Sequence, residues 1–328
     1  MKKFRPSYKM PFGSALAMLV TSIAGGLIIG GIVGFVAQYI YLIYLFPLIM
    51  GAVAGLLLAT VVRRGKVRNP VITVLFSILT AMILYGTYQF ASYYLDRQKI
   101  VDQIMSTQGV DNSTAQDAFD RVLNKDVGTT GFVGYLEFTA KQGIRFSSVG
   151  SSSGSDLAPI QGNIVYGYWL LEFLGIALIA AVGGARETTK PFCETCGNWY
   201  RGTAFVGNVD RKSSKQFVKA LRQGDFSQAK LFFIPPTRPP RTDLIADYCK
   251  TCNTSDVILT AKRVVYVRRN RTNSPVIIRG VVSHQQFADL MPASSVKPQM
   301  CTDSTTGKTH SQRAIGFNGN ASAITRQA

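Results

Sequence analysis

The sequence predicts an α-helical polytopic membrane protein with four transmembrane helices and a small α+β domain in the cytoplasm. Two observations predict this division. Four apolar stretches occupy the first 185 of the 328 residues, and each is near the roughly 20 apolar residues that a helix needs to cross a bilayer. All five cysteines lie beyond these stretches. We therefore expect a membrane part and a separate part that carries the thiols.

The four apolar stretches define the expected domain boundaries. They cover residues 11–36, 39–62, 70–93 and 162–185. The first stretch is too long for the apolar region of a secretory signal peptide, which is the competing interpretation of this N-terminus. We expect five segments: residues 1–94 with an N-terminal cytoplasmic segment and three spans, an extracytoplasmic and partly helical loop at 95–161, the fourth span at 162–185, a cytoplasmic domain at 186–291 and a disordered tail at 292–328.

The distribution of charge predicts the orientation, because Lys and Arg concentrate on loops that stay in the cytoplasm. Segments 1–10 and 63–69 hold four basic residues each and no acidic residue. The loop 95–161 has 6 basic residues against 8 acidic ones, whereas residues 186–328 have 22 against 9. The loop is therefore predicted to face outward, and both termini are predicted to lie in the cytoplasm.

Two segments of the outer loop have helical patterns. Residues 113–124 begin with capping residues and continue with apolar residues at helical spacing. Residues 130–142 carry the aromatic side chains Phe132, Tyr135 and Phe138. We expect these rings to pack on the preceding helix, and a position at the membrane surface is the alternative.

Glycines recur at four-residue spacing in the first two spans, and this spacing lets two helix backbones approach closely. They are Gly26, Gly30 and Gly34 in the first span and Gly51 and Gly55 in the second. Because a short connection joins these spans, we expect them to form an intramolecular antiparallel hairpin through the glycines. Homodimerisation through the same stripe is the alternative, and it would make the protein a homo-oligomer.

Glu172 lies about halfway along the fourth predicted span. A carboxyl group near the bilayer centre costs on the order of 3 kcal/mol on insertion scales, so it is expected to face the helix bundle or water. The spans contain no Lys or Arg, and the hydroxyl and amide partners available in the third span are Ser77, Thr80, Tyr85, Tyr88 and Gln89. Two interpretations have equal weight: a neutral, hydrogen-bonded glutamate with a structural role, and a glutamate that handles a proton or an ion.

Four of the five cysteines form two pairs with the spacing Cys-x-x-Cys. The pairs are Cys193 with Cys196 and Cys249 with Cys252, and both lie in the predicted cytoplasmic domain, where thiols stay reduced. One pair binds a metal from a single tight loop, and two pairs complete the four thiolates that Zn²⁺ prefers. The sequence therefore predicts a structural Zn²⁺ site with these four ligands. A redox-active pair is the alternative, but it would explain only one of the two pairs.

The region 191–283 resembles the zinc-ribbon class of modules. Two Cys-x-x-Cys knuckles, a glycine after the first pair and strand-forming residues after the second carry the resemblance. It implies a domain folded around one zinc ion that has no open coordination position and performs no chemistry. The sequence departs from the common pattern because 52 residues separate Cys196 from Cys249, against roughly 15 to 20 in a compact ribbon. We expect an inserted subdomain there, with short helices at 213–223 and 225–233.

The residues after the second cysteine pair predict a β-hairpin and a short helix. Strand-forming side chains occupy 257–267 and 276–278, with turn-forming residues between them. Residues 284–291 have the pattern of a short closing helix. Together with the helices of the insert, these elements give the domain its predicted α+β character.

Basic residues of the predicted cytoplasmic domain cluster in two places. Lys212, Lys215, Lys219 and Arg222 surround the first short helix, and Arg268 and Arg269 lie on the hairpin. Such clusters draw a domain beside a bilayer onto anionic lipid. We therefore expect contact with anionic lipid head groups or with an acidic protein partner. Nucleic acid is not an expected partner, because stacking aromatics are sparse in the clusters and no groove-reading motif is present.

Two hypotheses of function follow from these features. No catalytic residues are expected, because the soluble regions show no nucleophile and base arrangement, no histidine-rich cluster and no useful carboxylate pair. The first hypothesis is a non-enzymatic membrane scaffold or sensor whose zinc-stabilised cytoplasmic domain binds a partner or an anionic lipid surface. The second is a small transporter or channel component in which Glu172 handles a proton or a cation.

Overall fold

The chain divides into two compact units. The structure is a computed structural model, and it describes residues 1–39, 45–143, 160–235, 238–251, 255–267, 271–290, 299–302 and 309–312. The helical unit is Ser7–Thr189, and the tail unit combines Met1–Pro6 with Lys190–Ala328. The tail unit is therefore built from two segments that lie on either side of the helical unit in the sequence.

Four helices of the helical unit are long and apolar enough to cross a membrane. Among the described residues, the unit contains α1 (Phe12–Ala37), α2 (Leu45–Arg64), α3 (Pro70–Gln108), α4 (Asn112–Val127), α5 (Gly131–Gln142) and α6 (Asn163–Thr188). The four long helices are α1, α2, α3 and α6, and each overlaps one of the four predicted spans. They expose many large apolar side chains, among them Ile28, Leu56, Leu75 and Leu178. An apolar surface of this extent is typical of a protein that contacts lipid.

The polar connection between α2 and α3 starts α3 at a defined residue. The side chain of Asn69 accepts hydrogen bonds from the N–H groups of Val71 and Ile72, at 3.1 and 3.2 Å. Pro70 takes the first helical position, where the missing N–H has no cost. The cap therefore fixes the boundary between the basic segment 63–69 and the apolar residues that follow it.

Helix α3 is longer than its predicted span. Its 39 residues extend over about 58 Å, roughly twice the ~30 Å thickness of the hydrocarbon layer. Residues 95–108, which were expected in the outer loop, continue the helix, and Gly109 ends it with a φ of 64°. The helix continues because residues 95–108 contain neither glycine nor proline.

The extension of α3 packs with α4 and α5 into a three-helix cluster. Its buried side chains are Val101, Ala115, Phe119 and Leu123. The predicted helix 113–124 lies inside α4. The cluster gives the segment between α3 and α6 an apolar core of its own.

Two aromatic residues of α5, Phe132 and Tyr135, contact α3. The ring of Phe132 lies 5.6 Å from that of Phe90 and 5.8 Å from that of Tyr93. The hydroxyl group of Tyr135 donates a 2.5 Å hydrogen bond to Asp96, and burial raises the pKa of Tyr135 well above its usual range. Phe90 and Tyr93 belong to the predicted third span, and Asp96 belongs to the extension of α3. These two aromatic residues of α5 therefore contact α3, and not only the preceding helix α4 as expected.

The tail unit is built on an antiparallel sheet. Its described elements are β1 (Lys2–Lys3), β2 (Phe192–Cys193), β3 (Asn198–Trp199), β4 (Gly202–Asp210), α7 (Ser214–Gln223), α8 (Phe226–Lys230), β5 (Arg241–Tyr248), β6 (Val257–Val267), β7 (Arg271–Asn273), β8 (Val276–Val282), α9 (His284–Leu290), β9 (Gln299–Thr302) and β10 (Thr309–Gln312). The strand order is β1-β8-β6-β5-β4, and β7 pairs with β6. The predicted hairpin corresponds to β6 and β8, and the predicted helices of the insert correspond to α7 and α8.

An apolar core lies between this sheet and the helices α7, α8 and α9. Phe217 and Leu221 of α7, Leu244 of β5, Leu259 of β6 and Phe287 of α9 are fully buried in it. Every second residue is buried along most of β5, because successive side chains of a strand point to opposite faces. The tail unit therefore has an apolar core that is separate from its cysteines. A small zinc ribbon, by contrast, depends on its metal for folding.

The N-terminal segment forms the edge of the sheet. β1 pairs antiparallel with β8, and Lys3 lies opposite Gly280. The side chain of Met1 packs over Gly280, where a Cβ would leave no room for it. The ring of Phe4 lies 4.7 Å from the guanidinium carbon of Arg279, a cation–π contact. From the sequence, the basic residues of segment 1–10 predicted only the orientation in the membrane. In the structure, residues 1–6 are also part of the tail unit.

The predicted disordered tail, residues 292–328, is described only in part. β9 and β10 pair antiparallel within it, with Cys301 opposite His310. The other residues of this segment lie outside the described ranges.

Candidate functional site

Three cysteines of the tail unit lie close together. The sulfur atoms of Cys193, Cys196 and Cys249 are all within 4.8 Å of one another. In a tetrahedral site with metal–sulfur bonds of about 2.3 Å, two ligand sulfurs are about 3.8 Å apart, so a small inward movement would let these three bind one ion. Three of the four predicted ligands could therefore hold a metal ion. Cys252, the fourth, lies outside the described residues.

A tight hairpin brings the first two cysteines together. β2 and β3 pair antiparallel, and the N–H group of Cys196 donates a hydrogen bond to Sγ of Cys193 at 3.4 Å. Gly197 has a φ of 60°, a conformation that glycine adopts without steric cost. The rings of Phe192 and Trp199 meet edge to face across the hairpin, with centroids 5.1 Å apart. These contacts build the knuckle that the Cys-x-x-Cys spacing predicts.

The sheet brings the third cysteine to this knuckle. Cys249 directly follows β5, and Tyr248 at the end of β5 pairs with Gly202 at the start of β4. The ring of Tyr248 covers Gly202 so closely that a Cβ there would lie 2.5 Å from it. β4 begins three residues after Trp199, at the end of the knuckle. The insert of 52 residues therefore keeps the cysteine pairs together, because β4 leads away from the first pair and β5 returns to it.

Tyr200 ties the knuckle to the segment that follows the second pair. Its hydroxyl group donates a 2.6 Å hydrogen bond to the carbonyl oxygen of Asp256. Burial raises the pKa of Tyr200 to about 12, with smaller contributions from the nearby Cys193 and Cys249. The phenol is protonated at physiological pH, as an ordinary tyrosine is, and it donates this hydrogen bond. No pattern in the sequence indicated this role.

Glu172 is buried in the helical unit, with 6% of its surface exposed. Tyr85 of α3 donates a hydrogen bond to Oε2 at 2.9 Å, and Tyr168 of α6 donates one to Oε1 at 2.5 Å. Gln89 donates in turn to the hydroxyl group of Tyr85 at 3.0 Å. Tyr85 and Gln89 were among the predicted partners. Tyr168 was not, although it lies four residues before Glu172, where side chains on one helix face meet.

Two other predicted partners of Glu172 form hydrogen bonds elsewhere. The hydroxyl group of Ser77 donates to the carbonyl oxygen of Thr73 within α3, at 2.8 Å. Thr80 is hydrogen-bonded to the hydroxyl group of Ser22 on α1, at 2.9 Å. Small polar residues of this kind link helices that pack closely. Thr80 and Ser22 form a polar contact between α1 and α3 that does not include Glu172.

The glycine stripe of α1 lies against α3. A Cβ at Gly26 would come within 2.8 Å of Ile83, and one at Gly34 within 2.6 Å of Ala91. A Cβ at Gly30 would collide with the carbonyl oxygen of Leu84. Because glycine has no side chain, the backbones of α1 and α3 can approach closely at these three positions.

The glycines of α2 lie against α6. A Cβ at Gly51 would come within 2.9 Å of Ile179, and one at Gly55 within 3.3 Å of Ala180. The first two long helices do contact each other, but the expectation that they pack through these glycines is wrong. A short connection favours neighbouring helices but does not decide which helix the glycines contact, and α6 places Gly183 opposite Gly55. A homo-oligomer would have to use a different surface from these glycines.

The predicted basic residues around α7 are exposed. Lys212, Lys215, Lys219 and Arg222 all face solvent, whereas Phe217 and Leu221 on the opposite side of α7 are buried. The helix is therefore amphipathic, with a cationic outer face. Arg268 and Arg269, predicted for the hairpin, lie outside the described residues.

Comparison with known proteins assigns no family to the chain. Protein-family models, curated proteins and solved structures give no match. The function is therefore inferred from the residues themselves.

Proposed function

We propose that this is an integral membrane protein without enzymatic activity, whose tail unit is stabilised by structural Zn²⁺ and binds a partner or an anionic lipid surface. The observation that carries the proposal is the convergence of Cys193, Cys196 and Cys249 to within 4.8 Å. It occurs in a chain that also has four helices of membrane-spanning length. Together these features suit a membrane-anchored domain organised around a metal.

Zinc is the metal that the donor set favours. Thiolates are soft ligands, and structural Zn²⁺ takes four of them in tetrahedral geometry. With Cys252 as the fourth ligand, the two pairs would form a closed, zinc-ribbon-like centre. Such a centre has no position for water or substrate, which supports a structural role. The metal would link the hairpin β2–β3 to the end of β5.

The pairing of β1 with β8 supports the proposed topology. Because residues 1–6 and the segment from Lys190 onward belong to one folded unit, they would lie on the same side of the membrane. Four crossings satisfy this condition, since an even number returns the chain to its starting side. The basic segments 1–10 and 63–69 would then face the cytoplasm, as Lys and Arg prefer, and α4 and α5 would lie outside.

The metal content of the purified full-length chain tests this proposal. We expect one zinc per chain by inductively coupled plasma mass spectrometry, and loss of the zinc in the Cys193→Ser/Cys249→Ser variant. Cys301→Ser is the matched control, because Cys301 belongs to neither pair, and it should keep its zinc. A wild-type chain purified without zinc, or equal zinc in the double variant, would contradict the proposal.

A second candidate function is favoured by the environment of Glu172. This buried carboxyl group lies in α6, a helix of membrane-spanning length, with Tyr85 and Tyr168 as donors. Ionisable residues in such positions often mark the path of a proton or an ion. In this alternative, the protein is a small transporter or channel component in which Glu172 handles a proton or a cation.

The Glu172→Gln variant tests this alternative. Glutamine keeps the size of the side chain and one acceptor oxygen, replaces the other oxygen with an NH2 donor, and cannot ionise. Proton or cation flux in proteoliposomes should then be lost in Glu172→Gln and retained in Cys193→Ser. Absence of flux with the folded wild-type chain would contradict a transport role.

A further inference from the structure

The structure brings together two basic segments that are far apart in the sequence. The backbone nitrogen of Met1 donates a 3.2 Å hydrogen bond to the carbonyl oxygen of Arg222, a residue 221 positions away. Gly224, which ends α7, is also close, because a Cβ there would lie 3.5 Å from that nitrogen. β1 therefore starts beside the C-terminal end of α7.

Of the two lysines of β1, Lys3 is the one that shares a face with α7. Lys3 lies opposite Gly280 on β8, and paired residues of neighbouring strands project to the same face. Gly280 is two positions from Val282, whose side chain is buried in the core that α7 covers. Alternation along the strand places Lys3 on this face and Lys2 on the opposite one.

The outer face of α7 continues this positive charge. Lys215, Lys219 and Arg222 are spaced four and three residues apart, so they share one side of the helix. All three are exposed, and α7 contains no acidic residue. Asp225, the acidic residue that follows, caps α8 by accepting a hydrogen bond from the N–H group of Gln228 at 2.9 Å.

We propose that Lys3, Lys215, Lys219 and Arg222 form a composite basic surface that binds the anionic head groups of the bilayer in which the chain is anchored. Within the described part of the chain, none of these four cationic groups is held in a salt bridge. The inference rests on the proposed function, since it requires α1 to lie in a membrane. It names anionic lipid as the partner of the tail unit.

The length of the chain favours lipid over an acidic protein as the partner. Eight residues separate Lys3 from Phe12, the first residue of α1, and a chain of this length reaches about 30 Å at most. With α1 in the membrane, this tether keeps Lys3 within about 30 Å of the first residue of α1, so the head groups act at high effective concentration. Each cation close to an anionic surface strengthens binding about fivefold.

Lysine acetylation of the full-length chain in lipid nanodiscs tests this inference. The rate of modification by acetic anhydride is measured by mass spectrometry at Lys3, Lys215 and Lys219. Two nanodisc compositions are compared, phosphatidylcholine alone and phosphatidylcholine with about 30% phosphatidylserine. Lys250, an exposed lysine that follows β5, serves as the internal reference. We expect the three rates to fall about fivefold or more in the anionic discs relative to Lys250, and to recover at high salt.

Two matched variants test whether the surface is composite. Lys3→Gln should weaken the protection of Lys215 and Lys219 several-fold, because it removes a cation from the same surface. Lys2→Gln changes the neighbouring lysine on the opposite face and should leave that protection unchanged. Equal effects of the two variants would overturn the contribution of β1.

The remaining outcomes separate this inference from the proposed function. Equal acetylation rates in neutral and anionic discs would overturn lipid binding, and protection that appears only when an acidic protein is added would do the same. Zinc is measured in the same samples. Bound zinc without lipid-dependent protection would overturn this inference alone, whereas a chain without zinc would contradict the proposed function.

Discussion

The hydroxyl group of Tyr85 donates a 2.9 Å hydrogen bond to Oε2 of Glu172 and so connects α3 to α6. The other carboxyl oxygen accepts a hydrogen bond from Tyr168, so the side chain is held from two helices. A buried carboxyl group without such donors would carry a large desolvation cost. The cluster therefore contributes to the packing of the helical unit, in addition to any role in transport.

The Tyr85→Phe variant should lower the stability of the helical unit. It removes a buried donor to Glu172 while keeping the ring, and we expect a loss of about 1 kcal/mol, the size of a hydrogen bond between helices in a membrane. Tyr166→Phe is the matched control, because Tyr166 is 43% exposed on α6. Thermal denaturation in detergent, followed by circular dichroism, measures both. Equal stability of the two variants would show that the bond contributes nothing.

Alanine substitutions at two adjacent glycines of α1 should affect the stability of the helical unit differently. A Cβ at Gly30 would collide with the backbone of α3, whereas one at Gly31 has nothing within 4 Å. We expect Gly30→Ala to cost about 1 to 3 kcal/mol through overpacking. Gly31→Ala should be neutral or stabilising by up to about 1 kcal/mol, because alanine favours the helix. The same denaturation experiment measures both, and a neutral Gly30→Ala would refute the close packing of α1 on α3.

Removal of the metal should loosen the cysteine knuckle but leave the rest of the tail unit folded. The core around Phe217, Leu244 and Leu259 is buried independently of the cysteines. After treatment with a strong chelator, hydrogen exchange should increase at β2, β3 and residues 249–251, while β5 and β6 stay protected. Loss of protection throughout the sheet would instead show that the unit folds only with its metal.

The N-terminal cap of α4 should depend on pH only in acid. Hydrogen bonds from Ser113 and Thr114 lower the pKa of Asp111 from 3.8 to about 2. Because the pKa is lower in the folded state, the stabilisation is fully present above about pH 4 and is lost as the pH falls through 2. We expect the amide of Thr114 to lose its exchange protection over this interval. Asp111→Asn, which caps without titrating, should remove the pH dependence.

The sequence by itself determined the features that depend on local pattern. The length of each apolar stretch was enough to predict four helices of membrane-spanning length, because bilayer thickness sets the number of residues required. The spacing of Cys193 and Cys196 was enough to predict their contact, because both lie in one tight turn. The hairpin of β6 and β8 was predicted in the same way, from strand-forming residues on either side of a turn.

Only the tertiary structure decided which distant segments meet. Gly30 lies against α3 and Gly51 against α6, because a glycine stripe permits close approach of a second backbone but does not specify which helix supplies it. Cys249 reaches the knuckle through the pairing of β4 with β5. β1 has two residues, too few for any periodic pattern, and its position is set by Gly280 and the core beneath it. Contacts of this kind gain their free energy from two complementary surfaces, and a local sequence pattern describes only one of them.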